Sequence, residues 1–583
     1  MSEAFQRRLS LGATYDPTGT TFRFWAPAHP EVRLEIEGRD PKLMKPAADG
    51  WFELTLDAPA GARYRYHLPN GLTVPDPASR FQDGDVHGWS VLVDPRAYVW
   101  RTPEWPGRPW REAVIYELHV GCFGGFAGVK RALPLLAKLG VTAIQLMPIA
   151  DFPGERNWGY DGVLPYALDA AYGTPEELKD LVDSAHELNL MIMLDVVYNH
   201  FGPDGNYIGA YAPPVFRDDV ETPWGGAIDF RLPEVRAYFT ENVLYWLVEY
   251  RFDGLRFDAV HAISESDWID EMAAAVRAVE ASEGRQIHLV LENERNEESH
   301  LAGDVDAQWN DDFHHVIHVL LTGEREGYYA DYAEDTAGKL ARAFADGFVY
   351  QGEMSPNLGE PRGTNSGHLP PYAFVSFLQN HDQIGNRAFG DRLTSLAPPA
   401  GVEAATAALL LSPQIPMIFM GEEVASETPF LFFTDHEEPL AQAVRDGRRK
   451  EFAKFAAFAG AEIPDPNAIS TFEASIPEPH PTRAEARTAL FQKLLAVRAA
   501  EISSRTALPD VAAEAIGPKA AKATWRFEDG ARLTLATNLA DQTIDVAPVE
   551  GPVLFESPTG AADRLRAGAL PGFSTVAILE PAA

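Results

Sequence analysis

The chain has 583 residues, a single cysteine, 46% hydrophobic residues and a formal net charge of −36. That length is too great for one hydrophobic core and that apolar share too high for disorder, so two to four globular domains are expected. The charge argues against nucleic acid or an anionic membrane as partner, since both need a basic patch to displace counterions, and a lone Cys122 excludes an intrachain disulfide or a thiolate metal cluster.

The opening "MSEAFQRRLSLGATYDP" has no apolar run of the kind a secretory leader needs, and no later stretch reaches membrane-spanning length. A soluble, cytoplasmic protein is the expectation. From about residue 10 to 95, short runs of period two, "TTFRFWAP", "EVRLEIEG", "WFELTL" and "ARYRYHLPNG", are separated by turn signals, with Asn70-Gly71 suited to a tight hairpin. This pattern predicts a β-sandwich over residues 1–98. Its aromatics Phe24, Trp25 and Trp51 read as core rather than as a sugar platform. The four prolines of "DPRAYVWRTPEWPGRPWRE" argue against regular structure, which makes 99–112 a connection between domains.

Beyond it, apolar strands alternate with helices. "AVIYELHV" and "VTAIQLMPI" are continuous apolar strands of the kind buried on both faces; "LMIMLDVVYNH", "FDGLRFDAV" and "QIHLVLENE" read as strands too, and "VDAQWND", "YAFVSFLQNHD" and "QIPMIFMGEE" are further candidates. Among the helices between them, the one opened by Thr174, Pro175 and Glu177 carries a capping box and turns Leu178, Leu181, Val182, Ala185 and Leu188 to one side. Eight such strands predict an α/β fold, a (β/α)8 TIM barrel over residues 113–504. From 505 to 583 the period returns to two, with "ATWRFEDGARLTLATNL" turning at Asp529-Gly530, so a small C-terminal β-domain closes the chain.

In such a barrel, chemistry belongs at the C-terminal ends of the strands. Strand three ends in Asp195, Asn199 and His200, strand four in Arg256, Asp258 and His261, strand five in Glu292, and strand seven in Asn380, His381 and Asp382. A single strand-end carboxylate could cap a helix; four strands converging on one mouth fit capping poorly. Carboxylates crowded together raise one another's pKa, so one is expected to keep its proton while Asp258, beside Arg256, stays ionised. Glycoside hydrolysis requires that division of labour.

"DVVYNH", "GLRFDAVH", the glutamate of "LVLENE" and "FLQNHD" resemble, in order and spacing, the four motifs of the α-amylase family of glycoside hydrolases. The resemblance implies a retaining mechanism with Asp258 as nucleophile, Glu292 as general acid and base, and Asp382 holding hydroxyls of the distorted sugar. It also implies that Arg256, His200 and His381 hydrogen-bond around the reacting sugar, that Tyr160 of "NWGYDG" stacks beneath it, and that Asp195 supports the site. The segment "ENERNEE" after Glu292 departs from the family phrase in being more charged, which bears on the contacts of Glu294 and Arg295.

The longer phrases "QNHDQIGNRAFGDR", "LLLSPQIPMIFMGEE" and "PFLFFTDHEE" are similar to the members of that family that act on trehalose-ended glucans. The implied reaction is hydrolysis of the α-1,4 bond next to the terminal α,α-trehalose of maltooligosyltrehalose, with functional coupling to a maltooligosyltrehalose synthase. Phe432, Phe433 and Asp435 in the strand-eight loop are then expected to read the trehalose unit. No cofactor is expected. Asn199 and Asp195 could suggest calcium, but a short loop after strand three offers too few oxygen ligands, and no metal is expected. The nearest alternative is a glycogen branching or debranching enzyme with the same triad; a non-catalytic carbohydrate-binding barrel would typically lack one of the three carboxylates, all of which are present here.

Overall fold

Thr20–Trp25 and Arg63–His67 bury every second side chain, as period-two runs do when one face of a sheet meets a core. They belong to two antiparallel sheets, of four and six strands. The sheets meet through aromatic pairs, Phe22 with Tyr64 at 5.0 Å and Phe24 with Tyr66 at 4.2 Å. Phe24 is buried, while Trp25 and Trp51 lie beside one another half-buried. The structure, a computed structural model, describes residues 9–222, 225–452 and 463–582; the start of the stretch read above for a leader, residues 1–8, lies outside them.

Eight parallel strands close a barrel in chain order: β1 (Ile115–Leu118), β2 (Ala143–Leu146), β3 (Met191–Val196), β4 (Gly254–Phe257), β5 (His288–Leu291), β6 (Ala307–Trp309), β7 (Phe374–Phe377) and β8 (Ile415–Phe419), the last pairing back onto β1. Each lies within a stretch picked out by its apolar run. The lower interior is apolar, with Ile115, Ala143, Met193, Val290, Val375 and Met417 forming one cluster capped by Trp110. Two residues further along the strands, the same inward direction carries Glu117, Gln145, Asp195 and Glu292. Strand alternation thus turns a dry base into a polar mouth, which answers why Arg256 sits inside an apolar stretch. It is register partner to Asp195 on the neighbouring strand.

The helices follow their sequence signals. Residues Phe126–Leu139 form α1 and Pro175–Glu187 form α2. In α2 the Glu177 N–H donates to Thr174 Oγ1 (3.2 Å), and the Thr174 N–H to Glu177 Oε2 (2.9 Å). Leu188, expected on its buried face, instead sits at the C-cap and is exposed, because the helix ends one residue before it. Then come α3 (Pro233–Val248), α4 (Asp267–Glu283) and α5 (Asp311–Thr322). The connection after β3 is more than a plain loop: it carries a helical turn, Ile208–Tyr211, and a hairpin of Phe216–Thr222 with Gly225–Ile228.

The proline-rich connection lies fastened across the barrel base. Arg101 reaches Asp180 (2.7 Å) and Glu187 (3.0 Å) on α2, and the Trp105 indole donates to Asp253 Oδ1 (2.7 Å), just before β4. At the other end of the chain a five-stranded antiparallel sheet turns at Gly530, whose φ of +87° suits glycine. Trp525 meets Phe344 at 5.7 Å, edge to face.

Candidate active site

At the barrel mouth one guanidinium gathers three carboxyl groups. Arg256 Nη1 donates to both oxygens of Asp195 (2.8 Å each) and to Asp258 Oδ1 (2.9 Å), and Nη2 lies 3.2 Å from Glu292 Oε2. The ring of Trp309 lies 4.1 Å from the guanidinium carbon, a stacked placement that an arginine suits and a lysine does not. Asn199 Nδ2 donates to Asp258 Oδ2 (2.8 Å). Ala259, in the left-handed region at φ +40°, directs its N–H to Glu292 Oε2 (2.6 Å). Such a conformation in a non-glycine residue costs about 1–3 kcal/mol and persists only where its surroundings enforce it.

A second chain of contacts crosses the mouth from β1. Glu117, fully buried, accepts from the His381 N–H (3.0 Å) and pairs with His381 Nδ1 (2.7 Å). His381 Nε2 meets the Tyr160 hydroxyl at 2.8 Å, and that hydroxyl donates to Asp195 Oδ2 (2.7 Å). With both ring nitrogens used in this way the imidazole is suited to carry a charge. Burial alone would push its pKa down; the Glu117 carboxylate outweighs that and raises it. The Tyr160 ring lies nearly parallel to that of His381, 24° apart, and stays partly exposed. His200 joins through its Nε2 to the Tyr160 carbonyl (2.9 Å).

Glu292 has its pKa pushed up to about 8, first by burial and then by the charges of Asp258, Asp311 and Asp382, against the opposing pull of Arg256. It is therefore a carboxyl that holds its proton at neutral pH. Asp195 is raised to about 6, by burial. Asp382 accepts from Asn386 Nδ2 (2.6 Å). Glu292 and Asp382 line one cleft of about 180 Å³ together with Asp311, His315, Tyr328 and Arg362.

The strand-end residues named from sequence are thus brought together, with one exception in kind: Asn380 caps the turn His381–Gly385, accepting from the Gln383 N–H (2.8 Å). Asn199 and Asp195, weighed above as calcium ligands, spend their polar atoms on Asp258, Arg256 and Tyr160. His261 lies at the rim, 3.7 Å from the exposed Glu294. The strand-eight loop needs correction. Phe433 is fully buried, packed on His119 (5.0 Å) and Phe472 (5.2 Å), and offers no wall to a sugar. Asp435 pairs with Arg156 and accepts from the Glu155 N–H (2.9 Å), so both its oxygens clasp the loop after β2. Phe432 is half-buried against Trp158 at 5.1 Å. Sequence reasoning passed over Glu117, Trp309, Asp311 and His315. For the first two the signal was present, because both occupy inward positions at strand tops; the other two sit on a helix whose residues are nearly all buried.

The closed parallel barrel and the carboxyl groups gathered at its strand ends suit a glycoside hydrolase of the α-amylase family, and similarity to known proteins places the chain in that class. The Alpha-amylase catalytic-domain profile matches residues 77–212, and a domain of unknown function, DUF3459, matches 510–576. Malto-oligosyltrehalose trehalohydrolases are similar over most of their length: that of Saccharolobus solfataricus is 43% identical over 76% of this chain and 80% of its own, and that of Deinococcus radiodurans 43% over 80% and 78%. The chain belongs to the malto-oligosyltrehalose trehalohydrolase family. A 1,4-alpha-glucan branching enzyme of Geobacillus stearothermophilus is 31% identical over 42% of the chain and 43% of its own. Among solved structures, a Salmonella typhimurium protein classed with the alpha amylases superposes with a TM-score of 0.94 at 44% identity, covering 98% of this chain and 100% of that one. A Paenibacillus barengoltzii pullulanase, at 21% identity and a TM-score of 0.73 over 99% and 96%, shares the fold.

Proposed function

We propose that this enzyme hydrolyses the α-1,4 bond next to the terminal α,α-trehalose unit of maltooligosyltrehalose, releasing trehalose by a retaining route. The observation that carries the mechanism is the Arg256 fork, which holds Asp258 and Glu292 on one guanidinium. Retaining enzymes keep their two carboxyls about 5–5.5 Å apart, whereas inverting ones leave about 6.5–9.5 Å for a water. Asp258, beside the arginine, attacks the anomeric carbon; Glu292, holding its proton, gives it to the leaving oxygen. The covalent glycosyl-enzyme is then hydrolysed by a water that Glu292, now ionised, deprotonates. Asp382 binds hydroxyls of the distorted sugar and Tyr160 stacks beneath it; Arg256 holds the carboxyls, and His200 and His381, whose ring nitrogens are engaged by Asn199, Glu117 and Tyr160, position Tyr160 rather than bond the sugar themselves.

The choice of substrate rests on the names of the relatives. The enzyme acts in the cytoplasm on glucans that a maltooligosyltrehalose synthase has ended with trehalose; among the described residues no helix is long and apolar enough to cross a membrane. The same reading divides the chain into a sandwich to residue 98, a connection over 99–112, a catalytic barrel over 113–504 and a C-terminal domain from 505. Product analysis tests it: free trehalose should dominate from maltooligosyltrehalose, with plain maltooligosaccharide cleaved far more slowly. Transfer of glucan chains without release of trehalose would favour the branching-enzyme reading instead.

A further inference from the structure

The barrel mouth holds one buried acid that takes no part in the bond that breaks. Glu117 comes from β1, where strand alternation turns it inward, and it is fully buried. Its two oxygens close on a single residue: Oε2 accepts from the His381 backbone N–H (3.0 Å) and Oε1 from the ring Nδ1 (2.7 Å). Among the described residues, His381 is its one ion-pair partner. A carboxylate only accepts, so Nδ1 carries a proton.

What Nε2 carries follows from counting protons. The Tyr160 hydroxyl has one, and it stands 2.8 Å from Nε2 and 2.7 Å from Asp195 Oδ2. Asp195 is an acceptor, with both oxygens on Arg256 Nη1. A neutral ring protonated on Nδ1 would make Nε2 a second acceptor, and one phenol proton cannot serve two lone pairs. A doubly protonated ring removes the conflict: Nε2 donates to the phenol oxygen, and the phenol donates to Asp195. The charged groups around the ring allow it. Glu117 and the adjacent Asp382 favour the charge, as does Asp195 beyond Tyr160, while Arg256 on β4 opposes it. His119, just past β1, stays neutral, its pKa lowered to about 4 by burial, and the rings of Trp158 and Trp309 complete the surroundings without charge.

We propose that Glu117 is a positioning residue for glycoside cleavage: by clamping His381 as an imidazolium it fixes the Tyr160 ring, 24° from parallel with the imidazole, in the plane on which the reacting sugar stacks. This rests on the reading of the mouth as a retaining glycosidase site and is independent of which glucan end is recognised. Glu117→Gln keeps the shape but removes the charge, leaving Asp382 and Asp195 alone against burial and Arg256. The ring then loses its proton at lower pH, Nε2 turns acceptor, and the Tyr160 proton is contested between His381 and Asp195.

The test uses α-maltotriosyl fluoride, whose leaving group needs little protonation, so that the titration of Glu292 does not mask that of His381. Whole wild-type enzyme and Glu117→Gln are compared for kcat/KM from about pH 5 to about pH 8. The wild-type profile should stay level above the acid limb set by its carboxylates. The variant should lose about 10–100-fold at the alkaline end, the scale of a misplaced group near the chemistry. Its ratio to wild type should climb back toward one as the pH falls below about 6.5, the ordinary imidazole value. A ratio that is the same at every pH would overturn the proposal, since Glu117 would then serve only the fold. So would a variant as active as the wild type throughout. If the variant does not fold, the wild type decides: a fluoride profile that declines between about pH 6 and about pH 7.5, where an unclamped imidazole discharges, would overturn the proposal, and a level one supports it. A wild-type enzyme inert to the fluoride would defeat the glycosidase reading itself, and the proposal with it.

Discussion

Glu292 is the residue on which the chemistry turns, because its surroundings and not its type make it an acid. Burial and three neighbouring carboxylates lift it to about 8, so it is protonated below that pH and loses its proton above. An activity that needs the proton must decline on the alkaline side, and kcat/KM should show a basic limb near pH 8. Asp311→Asn removes one of the charges that oppose ionisation, so the limb should move to lower pH; a limb that stays in place would remove Asp311 from the electrostatics of the site. Glu292→Gln should cost about 10²–10⁴-fold on the natural substrate, with a much smaller loss on α-maltotriosyl fluoride, whose departure needs little protonation. Equal losses on both would show that Glu292 is not the acid. Asp258→Asn keeps the shape and removes the nucleophile; turnover should fall by several orders of magnitude with the thermal midpoint little changed, and more than about a tenth of wild-type activity would remove Asp258 from that role.

At the scale of elements, what could be read from the sequence was what repeats locally. The apolar strands β1 to β8 announce themselves as runs, and the alternation inside them states in advance that Arg256 and Asp258 face the same way. The capping box of Thr174 and Glu177 is equally local. Contacts between distant loops are not encoded in any run: Asp435 and Arg156 are 279 positions apart, and only the fold brings them together. That is why Asp435 looked like a sugar acceptor and proves to be a clasp. In the same way α5, "DDFHHVIHVLLT", is buried almost all round, so its pattern does not say which side meets the cleft. The clasp leads to an expectation opposite to that of a sugar-reading residue. Asp435→Ala should lower stability by about 1–2 kcal/mol, the worth of a partly buried charged pair with an added hydrogen bond. It should reduce activity on trehalose-ended and plain glucans alike. A selective loss on the trehalose-ended substrate, in steady-state kinetics, would return the loop to substrate reading.

For the whole molecule, the sandwich and the barrel are not two bodies on a string. Their buried side chains form one continuous cluster, running from Phe22 and Tyr66 through Tyr238-flanked Phe239 to the barrel helices. Ionisable groups are buried at the same junction. Arg80 of the sandwich, 5% exposed, lies 3.6 Å from Glu249 at the end of α3, and Lys179 of α2 approaches the same carboxylate at 3.9 Å. Neither oxygen of Glu249 has a hydrogen bond, so its burial is compensated by those two cations. Replacing a buried pair with apolar groups is often nearly neutral, whereas removing one partner strands the other charge and costs about 3–5 kcal/mol. Arg80→Ala leaves Glu249 only the more distant Lys179 and should therefore destabilise by up to roughly that amount, although it lies on the sandwich and far in sequence from the catalytic strands. Because the core is shared, that loss should appear in the unfolding of the barrel as well. Denaturation followed by tryptophan fluorescence and by catalytic activity should give coincident transitions, both displaced to lower denaturant in the variant. An early sandwich transition that leaves activity untouched would show instead that the first domain unfolds by itself and that the buried cations do not couple it to the barrel.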